Sequence, residues 1–135
     1  MKNRVAITGM GIISSIGLTV EENFQSLLSK KHGISTIDFI ETVHKKEILV
    51  GEIKTSNETL QHLLNLPENN TFTRTGLLGA YAAKQAIQNA NILDVNEVRT
   101  GFISSTSVAG MDFTEKHYKQ YEQHPEYTKY IESHN

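Results

Sequence analysis

The hydrophobic positions of the chain predict two short strands separated by helices. Residues 5–7 are a continuously apolar run of Val, Ala and Ile, which is typical of a strand buried on both faces. A second strand is predicted at residues 100–104, before a segment rich in hydroxyl groups. Parallel pairing of these strands through the intervening helix would be the usual right-handed crossover, so we expect an α/β fold.

The first helix is predicted over residues 19–32. Its apolar positions recur at the spacing of one helical stripe, which predicts that the helix covers a sheet. Thr19 and Glu22 form a T-x-x-E capping box at its start, and Gly33 is predicted to be its C-cap. The apolar positions of the stripe are Val20, Phe24, Leu27 and Leu28.

A second helix is predicted over residues 72–89, with small residues spaced three and four apart. Each glycine in a helix costs roughly 1 kcal/mol relative to alanine. We expect close packing of another backbone against the small residues to offset this cost. This helix should therefore lie centrally in the fold, and a ligand groove along the stripe is the less favoured interpretation. The small residues are Gly76, Gly79, Ala83, Ala86 and Ala90.

Two further segments are predicted to lie outside the two strands and two helices described above. Residues 34–70 are interpreted as a surface excursion with a short strand at 48–53, a helix at 56–64 capped by Ser56, and a polar loop at 67–70. Residues 112–135 are interpreted as a polar helical tail that begins with a second capping box, formed by Asp112 and Glu115.

The glycines that follow residues 5–7 are open to two chemical interpretations. A strand followed by glycines is typical of a dinucleotide fingerprint, in which G-x-G-x-x-G runs directly into a helix. Here Ser14 replaces the third glycine, and the next helix starts only at about Thr19, which argues against a nucleotide site. The alternative is that Gly9 and Gly11 only shape a tight loop.

Composition excludes several classes of function. The net charge of −2 and the isoelectric point near 6.3 argue against binding to nucleic acid. The sequence has no cysteine, which excludes disulfides and Cys-ligated zinc, and the spacing of its histidines matches no zinc motif. No stretch approaches the roughly 18 apolar residues of a membrane span. We therefore expect a soluble protein of the cytoplasm, with no cofactor or metal and no contact with a membrane.

Three segments resemble the β-ketoacyl-ACP synthases of the elongating type, which are condensing enzymes with a thiolase-like fold. The segments are RVAITGMGIISSIG at residues 4–17, TRTGLLGAYAAKQAI at 73–87 and RTGFISSTSVAGM at 99–111. They occur in the family's order and at similar spacing. The resemblance implies that residues 1–135 are the N-terminal fragment of a ketosynthase domain, with an incomplete layered α/β sheet and covering helices. Two strands alone would not form a stable parallel sheet, which agrees with this interpretation.

The resemblance also implies an activity, namely decarboxylative Claisen condensation of an acyl thioester with malonyl-ACP in fatty acid or polyketide biosynthesis. The nucleophilic cysteine and two catalytic histidines of the family lie downstream of the matched region. The fragment is therefore expected to contain no catalytic residue and to be inactive by itself. The implied partners are acyl carrier protein, acyl and malonyl thioesters, and a second copy of the enzyme in a homodimer.

One functional segment of the family falls inside the chain, and this is the acyl-pocket loop. Val108 matches the residue that gates the acyl tunnel in the family, although a simple core valine at a strand end is an equal alternative. The loop departs from the family by having hydroxyl side chains where glycine is usual, so chain-length preference does not carry over. The loop comprises Ser104, Ser105, Thr106, Ser107, Val108, Ala109, Gly110 and Met111.

Two other classes of protein remain open at this point. The chain could belong to a non-catalytic partner that resembles the chain-length factors, because those proteins also lack the cysteine. It could also be a nucleotide-binding α/β domain, in which case it should bind NAD or ATP.

Overall fold

The computed structural model describes residues 4–97, 99–108 and 110–123. Four helices and two very short strands follow one another along this part of the chain. They are α1 (Val20–Leu28), β1 (Ser35–Thr36), β2 (Leu49–Val50), α2 (Asn57–Leu64), α3 (Arg74–Asn89) and α4 (Met111–Gln123). The described part of the chain is thus a mixed arrangement of helices and strands.

Helix α1 starts as the sequence predicts but ends earlier. Thr19 is the N-cap, and its Oγ1 accepts a hydrogen bond of 3.2 Å from the backbone N–H of Glu22. The Glu22 carboxylate accepts from the N–H of Leu18 at 2.6 Å, which completes the capping box one residue upstream of the usual position. The predicted C-cap at Gly33 is wrong, because the helix ends at Leu28 and Lys30 adopts a left-handed φ of 55°.

The buried face of α1 is polar. The amide of Asn23 donates to the carbonyl oxygens of Gly17 and Thr19 at 2.9 and 2.7 Å, and the hydroxyl of Ser26 donates to Ile16 O at 2.7 Å. These bonds hold the preceding loop against the helix. The predicted apolar stripe does not cover a sheet in the described chain, since its residues Phe24, Leu27 and Leu28 are all more than half exposed.

Helices α2 and α3 pack against each other and supply the small core of the described chain. Ser56 caps α2, as predicted, by accepting from the N–H of Thr59 at 3.2 Å, and Thr73 caps α3 by accepting from Gly76 N at 3.2 Å. Leu60 of α2 and Leu77 of α3 are both fully buried. This contact fixes the direction of α3, on which the loop after residue 8 rests.

The glycine loop lies directly on α3, as the small residues of that helix predict. A Cβ atom added to Gly11 would lie 2.8 Å from the backbone nitrogen of Ala86, and one added to Gly9 would lie 2.7 Å from the Cβ of Ala90. Contacts this short do not occur between real side chains, so both positions require glycine. The amide of Gln85 donates to Leu18 O at 2.8 Å and ties the far end of the loop to the same helix.

Neither of the two strands expected from the sequence forms within the described chain. Val5 is 96% exposed and Ile103 is 97% exposed, and neither segment has the hydrogen bonds of a sheet. The predicted parallel pairing is therefore wrong for the described residues, because a buried parallel strand needs neighbours and covering layers that these residues do not supply. The only sheet among them is the antiparallel pair of β1 and β2, with Ser35 opposite Val50.

The second predicted capping box is also wrong. Helix α4 begins at Met111, so Asp112 lies in its first turn and not at the cap. The N–H of Thr114 donates to Gly110 O at 2.9 Å, and Gly110 has a φ of +68°. Glycine adopts this left-handed φ without steric cost, which suits the position directly before the helix. Residues 124–135 of the predicted tail lie outside the described residues.

Candidate functional site

The predicted acyl-pocket loop lies in the sequence between the predicted second strand and α4. Thr106 Oγ1 donates to the carbonyl oxygen of Val108 at 3.2 Å, which forms a local turn. Ser104, Ser105 and Ser107 are exposed, and Val108 is 61% exposed, so no part of the described chain encloses it. Ala109 lies outside the described residues. The assignment of the loop to an acyl pocket stays a prediction.

Gly110, near the end of this loop, lies near the start of α3. A Cβ atom added to Gly110 would lie 3.7 Å from Cγ2 of Thr73, which is an ordinary van der Waals distance. The hydroxyl of Thr73 caps α3, and its methyl group lies on the side of Gly110 where a side chain would stand. Met111, the last residue of the loop, is exposed. The sequence places Thr73 in a recognised motif, but it gives no indication that Thr73 lies near Gly110.

A buried carboxylate organises the neighbouring segment. Glu52 is only 6% exposed, and its Oε1 accepts from the N–H groups of Phe39 and Ile40 at 2.9 and 3.0 Å. Its Oε2 accepts from the N–H of Asp38 at 2.8 Å and from Nζ of Lys54 at 2.8 Å. Four donors thus surround one carboxylate.

These contacts determine the charge of Glu52. Burial by itself raises the pKa of this carboxyl group, but the hydrogen bonds from Lys54 and from three backbone N–H groups outweigh it and lower the pKa to about 2. The carboxylate is therefore ionised at neutral pH and acts as the anchor of residues 38–40.

Lys54 completes the ionic part of this cluster. Its Nζ lies 2.8 Å from a carboxylate oxygen of Asp38 and 2.8 Å from one of Glu52, and it donates to Thr36 O at 2.6 Å. Hydrogen bonds to Asp38 and Glu52 raise the pKa of Lys54 above its ordinary value. The three charges form a compact network that joins β1 to the segment after β2.

Arg74, the first residue of α3, lies on the other side of this segment. Its Nη2 donates to Ile53 O at 2.8 Å, and its Nη1 donates to Thr55 O at 3.0 Å and to Oδ1 of Asn57 at 2.8 Å. The guanidinium carbon lies 5.8 Å from the ring centroid of Phe39, within the range of a cation–π contact. Arg74 therefore joins α3 to residues 53–57 and to the loop held by Glu52.

A polar cleft of about 650 Å³ opens beside α1. Its walls come from residues 14–18, 31–35 and 54–55 and from the inner face of α1. Two of its hydroxyl groups are already bonded within the chain, since Ser14 donates to Oδ1 of Asn23 and Ser26 donates to Ile16 O. Among the described residues, no hydrogen bond joins a hydroxyl of this cleft to a histidine ring, which is the arrangement that activates a serine nucleophile.

The described part of the chain has neither a metal-binding cluster nor a membrane-spanning helix. No group of three or more His, Cys, Asp or Glu side chains there is placed to hold a metal ion. None of the described helices is both long and apolar enough to cross a membrane.

Glu52, Lys54 and Arg74 were not predicted from the sequence as site residues. The available signal was the presence of Glu52 and Lys54 within four residues of the end of β2. A charged side chain that is buried there must find a partner. For Arg74 the sequence offered no comparable signal, because two of its acceptors are backbone carbonyl oxygens about twenty positions away.

The described residues form part of an α/β scaffold with a hydroxyl-rich loop, and the sequence supplies no cysteine nucleophile. A family model for the N-terminal domain of beta-ketoacyl synthases matches residues 2–134. The chain therefore belongs to the beta-ketoacyl synthase N-terminal domain family, which confirms the resemblance noted in the sequence.

Curated relatives agree with this family. The chain is 32% identical over 120 residues to 3-oxoacyl-[acyl-carrier-protein] synthase 2 of Staphylococcus aureus (strain COL), an alignment that covers 87% of the chain and 28% of the relative. It is 28% identical over 138 residues to the granaticin polyketide putative beta-ketoacyl synthase 2 of Streptomyces violaceoruber, covering 98% of the chain and 32% of that protein. The chain thus spans about a third of these relatives or less. No solved structure gives a significant match.

Proposed function

We propose that the chain is the N-terminal part of a β-ketoacyl synthase that condenses an acyl thioester with malonyl-ACP. The single observation that carries this proposal is the match of the family model to residues 2–134, almost the whole chain. The names of the relatives extend the proposal to fatty acid or polyketide biosynthesis.

The proposed reaction is a decarboxylative Claisen condensation. The malonyl thioester loses carbon dioxide, and the resulting enolate carbon attacks the carbonyl carbon of an acyl group that is held as a thioester on the enzyme. The carbon–sulfur bond to the enzyme then breaks, and the thiolate leaves. Because the sequence contains no cysteine, the nucleophile has to come from outside residues 1–135.

The role proposed for this chain is to supply scaffold and one wall of the acyl pocket. The wall is the loop at residues 104–111, with Val108 as the gate. Its support is the position of the loop, whose residues 104–108 are exposed and whose Gly110 lies near Thr73 at the start of α3. A thiolase-like fold, a homodimer, acyl carrier protein as the partner and a cytoplasmic location belong to the same proposal.

Carbon dioxide release from malonyl-ACP tests the proposed activity. We expect the protein translated from the complete reading frame to release carbon dioxide when an acyl-ACP is present, and residues 1–135 alone to release none. Release by residues 1–135 alone would contradict the proposal that the nucleophile lies elsewhere. A complete protein that is silent alone but supports condensation when a catalytic synthase is added would instead be a partner of the chain-length-factor type.

The nucleotide-binding alternative is less well supported by the geometry. Gly9 and Gly11 face the backbone of α3 and not an open site, and α1 begins at Val20, well after the second glycine. In a dinucleotide fingerprint the glycines lead directly into the helix whose N-terminus faces the pyrophosphate. Calorimetric titration with NAD and with ATP should give no heat of binding, and saturable binding of either would favour the alternative.

A further inference from the structure

The polar cleft beside α1 contains two hydroxyl groups that the fold does not use. Thr55 lines the cleft and is only 7% exposed, and its Oγ1 has no hydrogen-bond partner among the described residues. The hydroxyl of Ser15, a half-buried residue of another wall, has no partner among them either. A hydroxyl group that is removed from bulk water needs a hydrogen bond. These two groups therefore favour a polar occupant of the cleft.

Both hydroxyl oxygens are open to the cleft. Within the described part of the chain, every fully enclosed side-chain nitrogen or oxygen atom has a hydrogen-bond partner. The hydroxyl oxygens of Thr55 and Ser15 have none, so they are not enclosed and belong to the surface that these residues contribute to the cleft. A Cβ atom added to Gly33 would overlap Oγ of Ser15, so glycine at this position keeps the space beside the hydroxyl open.

Hydrogen bonds hold the backbone on two walls of the cleft. The N–H of Thr55 donates to Ile53 O at 2.9 Å, and the carbonyl oxygen of Thr55 accepts from Nη1 of Arg74 at 3.0 Å. The N–H of Lys31 donates to Ser26 O at 2.8 Å, which ties the segment after α1 to that helix. The backbone positions of Thr55 and Lys31 are therefore fixed before any ligand binds, which lowers the entropic cost of binding.

The charges of the cleft favour an occupant with one negative charge. The three N–H donors of Lys54 already have partners, which are two carboxylates and one carbonyl oxygen. Glu22 is the one acidic residue among the described residues of the lining, and its carboxylate accepts from Leu18 N at 2.6 Å. Lys31 also lines the cleft, and its ammonium group forms no ion pair with any described residue. One ammonium group without a counter-charge matches a monovalent anion.

We propose that the cleft binds the carboxylate group of a small organic acid, with Ser15 and Thr55 as hydrogen-bond donors and Lys31 as the counter-charge. A carboxylate accepts about four hydrogen bonds and donates none, which fits three donor groups on separate segments. The cleft volume of about 650 Å³ lies in the range of small-molecule sites, so it has room for the rest of the acid. The inference goes beyond the proposed condensation, which assigns no role to these residues.

The test measures binding of acetate to the complete protein by saturation-transfer difference NMR, with acetamide as the uncharged probe of the same shape. We expect saturable transfer to the methyl protons of acetate and none to those of acetamide. Lys31→Gln, Thr55→Val and Ser15→Ala each remove one proposed contact. Lys30→Gln is the matched control, because Lys30 precedes Lys31 in the chain but does not line the cleft.

We expect Lys31→Gln, Thr55→Val and Ser15→Ala each to raise the dissociation constant of acetate about tenfold, because each removes a hydrogen bond to a charged group. Lys30→Gln should leave the dissociation constant unchanged. Equal weakening by Lys31→Gln and Lys30→Gln would mean that acetate responds only to the general surface charge, and the proposal would be overturned. A complete protein that binds no acetate, or that binds acetamide equally well, would overturn it too.

Thermal unfolding distinguishes a ligand-binding hydroxyl from a structural one. Because the hydroxyl of Thr55 has no partner in the fold, Thr55→Val should not lower the unfolding temperature of the protein without acetate. Acetate should raise the unfolding temperature of the parent protein and of Lys30→Gln, but much less that of Thr55→Val. A Thr55→Val protein that is less stable yet binds acetate as the parent does would overturn the proposal. Should Thr55→Val fail to fold, the acetate affinities of Ser15→Ala and Lys31→Gln decide.

Discussion

Replacing Glu52 by glutamine should destabilise the protein at neutral pH and have little effect in acid. Both carboxylate oxygens of Glu52 accept hydrogen bonds, one from Phe39 and Ile40 and the other from Asp38 and Lys54. Glutamine has one oxygen and one NH₂ group, so in either orientation a donor faces two other donors. The change removes the charge and leaves buried N–H groups without an acceptor.

The magnitude follows from the pKa of Glu52. A carboxyl group whose pKa is lowered from 4.5 to about 2 on folding stabilises the folded state by about 3 kcal/mol at neutral pH. Because the folded-state pKa is the lower one, this stabilisation is present above 4.5 and is lost as the pH falls through about 2. We therefore expect Glu52→Gln to cost about 3 kcal/mol near neutrality and almost nothing near pH 2.

Urea unfolding followed by far-ultraviolet circular dichroism, repeated from about pH 7 down to about pH 2, measures this difference. The matched control is Glu47→Gln, since the Glu47 side chain is exposed and its carboxylate pairs with the ring of His44 at 2.7 Å. It should change the free energy of unfolding by less than about 0.5 kcal/mol. The reasoning about Glu52 is refuted if the gap between Glu52→Gln and the parent protein stays constant over the whole pH range.

Two further predictions concern close contacts and helix capping. Gly11→Ala would place a Cβ atom 2.8 Å from the backbone nitrogen of Ala86, so it should lower the free energy of unfolding by about 2 kcal/mol or more. The control is Gly79→Ala, where an added Cβ meets nothing within 4 Å. This change should raise the free energy of unfolding by about 1 kcal/mol. Equal effects in urea unfolding would contradict the contact between the glycine loop and α3. Thr19→Ala removes the oxygen that accepts from Glu22 N and should lower the stability measured by thermal unfolding by about 1 kcal/mol. Thr19→Ser keeps the hydroxyl and should lower the stability much less. Equal losses of stability in the two variants would argue against capping by the hydroxyl.

Local signals in the sequence located the helices well. The N-caps at Thr19 and Ser56 were predicted correctly because a capping side chain bonds to an N–H group only three residues away. The end of α1 was missed because Gly33, the apparent C-cap, is needed for another contact. A Cβ atom there would lie 2.6 Å from the carbonyl oxygen of Ser15, which is close in space but far along the chain.

The side chains around the candidate site were not predictable in the same way. Arg74 and Glu52 bind backbone groups of residues between 12 and 21 positions away, and hydrophobic periodicity carries no information about such partners. The close approach of another segment to α3 could be predicted from the sequence. Glycine and alanine at helical spacing indicate that some backbone packs closely on the helix, even when the identity of that segment is not known. Which segment makes that approach emerged only from the structure.

The exposed apolar side chains of residues 5–7 and 100–104 indicate which contacts would have to supply much of the folding stability. Within the described chain only Ile37, Leu60 and Leu77 are buried hydrophobic residues, whereas residues 5–7 and 100–104 leave Val, Ile and Phe side chains in water. Burying one such side chain is worth about 2 kcal/mol, so covering four of them amounts to about 8 kcal/mol, which is within the total stability of an ordinary domain. The hydrogen bonds of Glu52, Arg74 and Asn23 thus fix local geometry. The larger hydrophobic contribution to stability depends on the surface that covers residues 5–7 and 100–104.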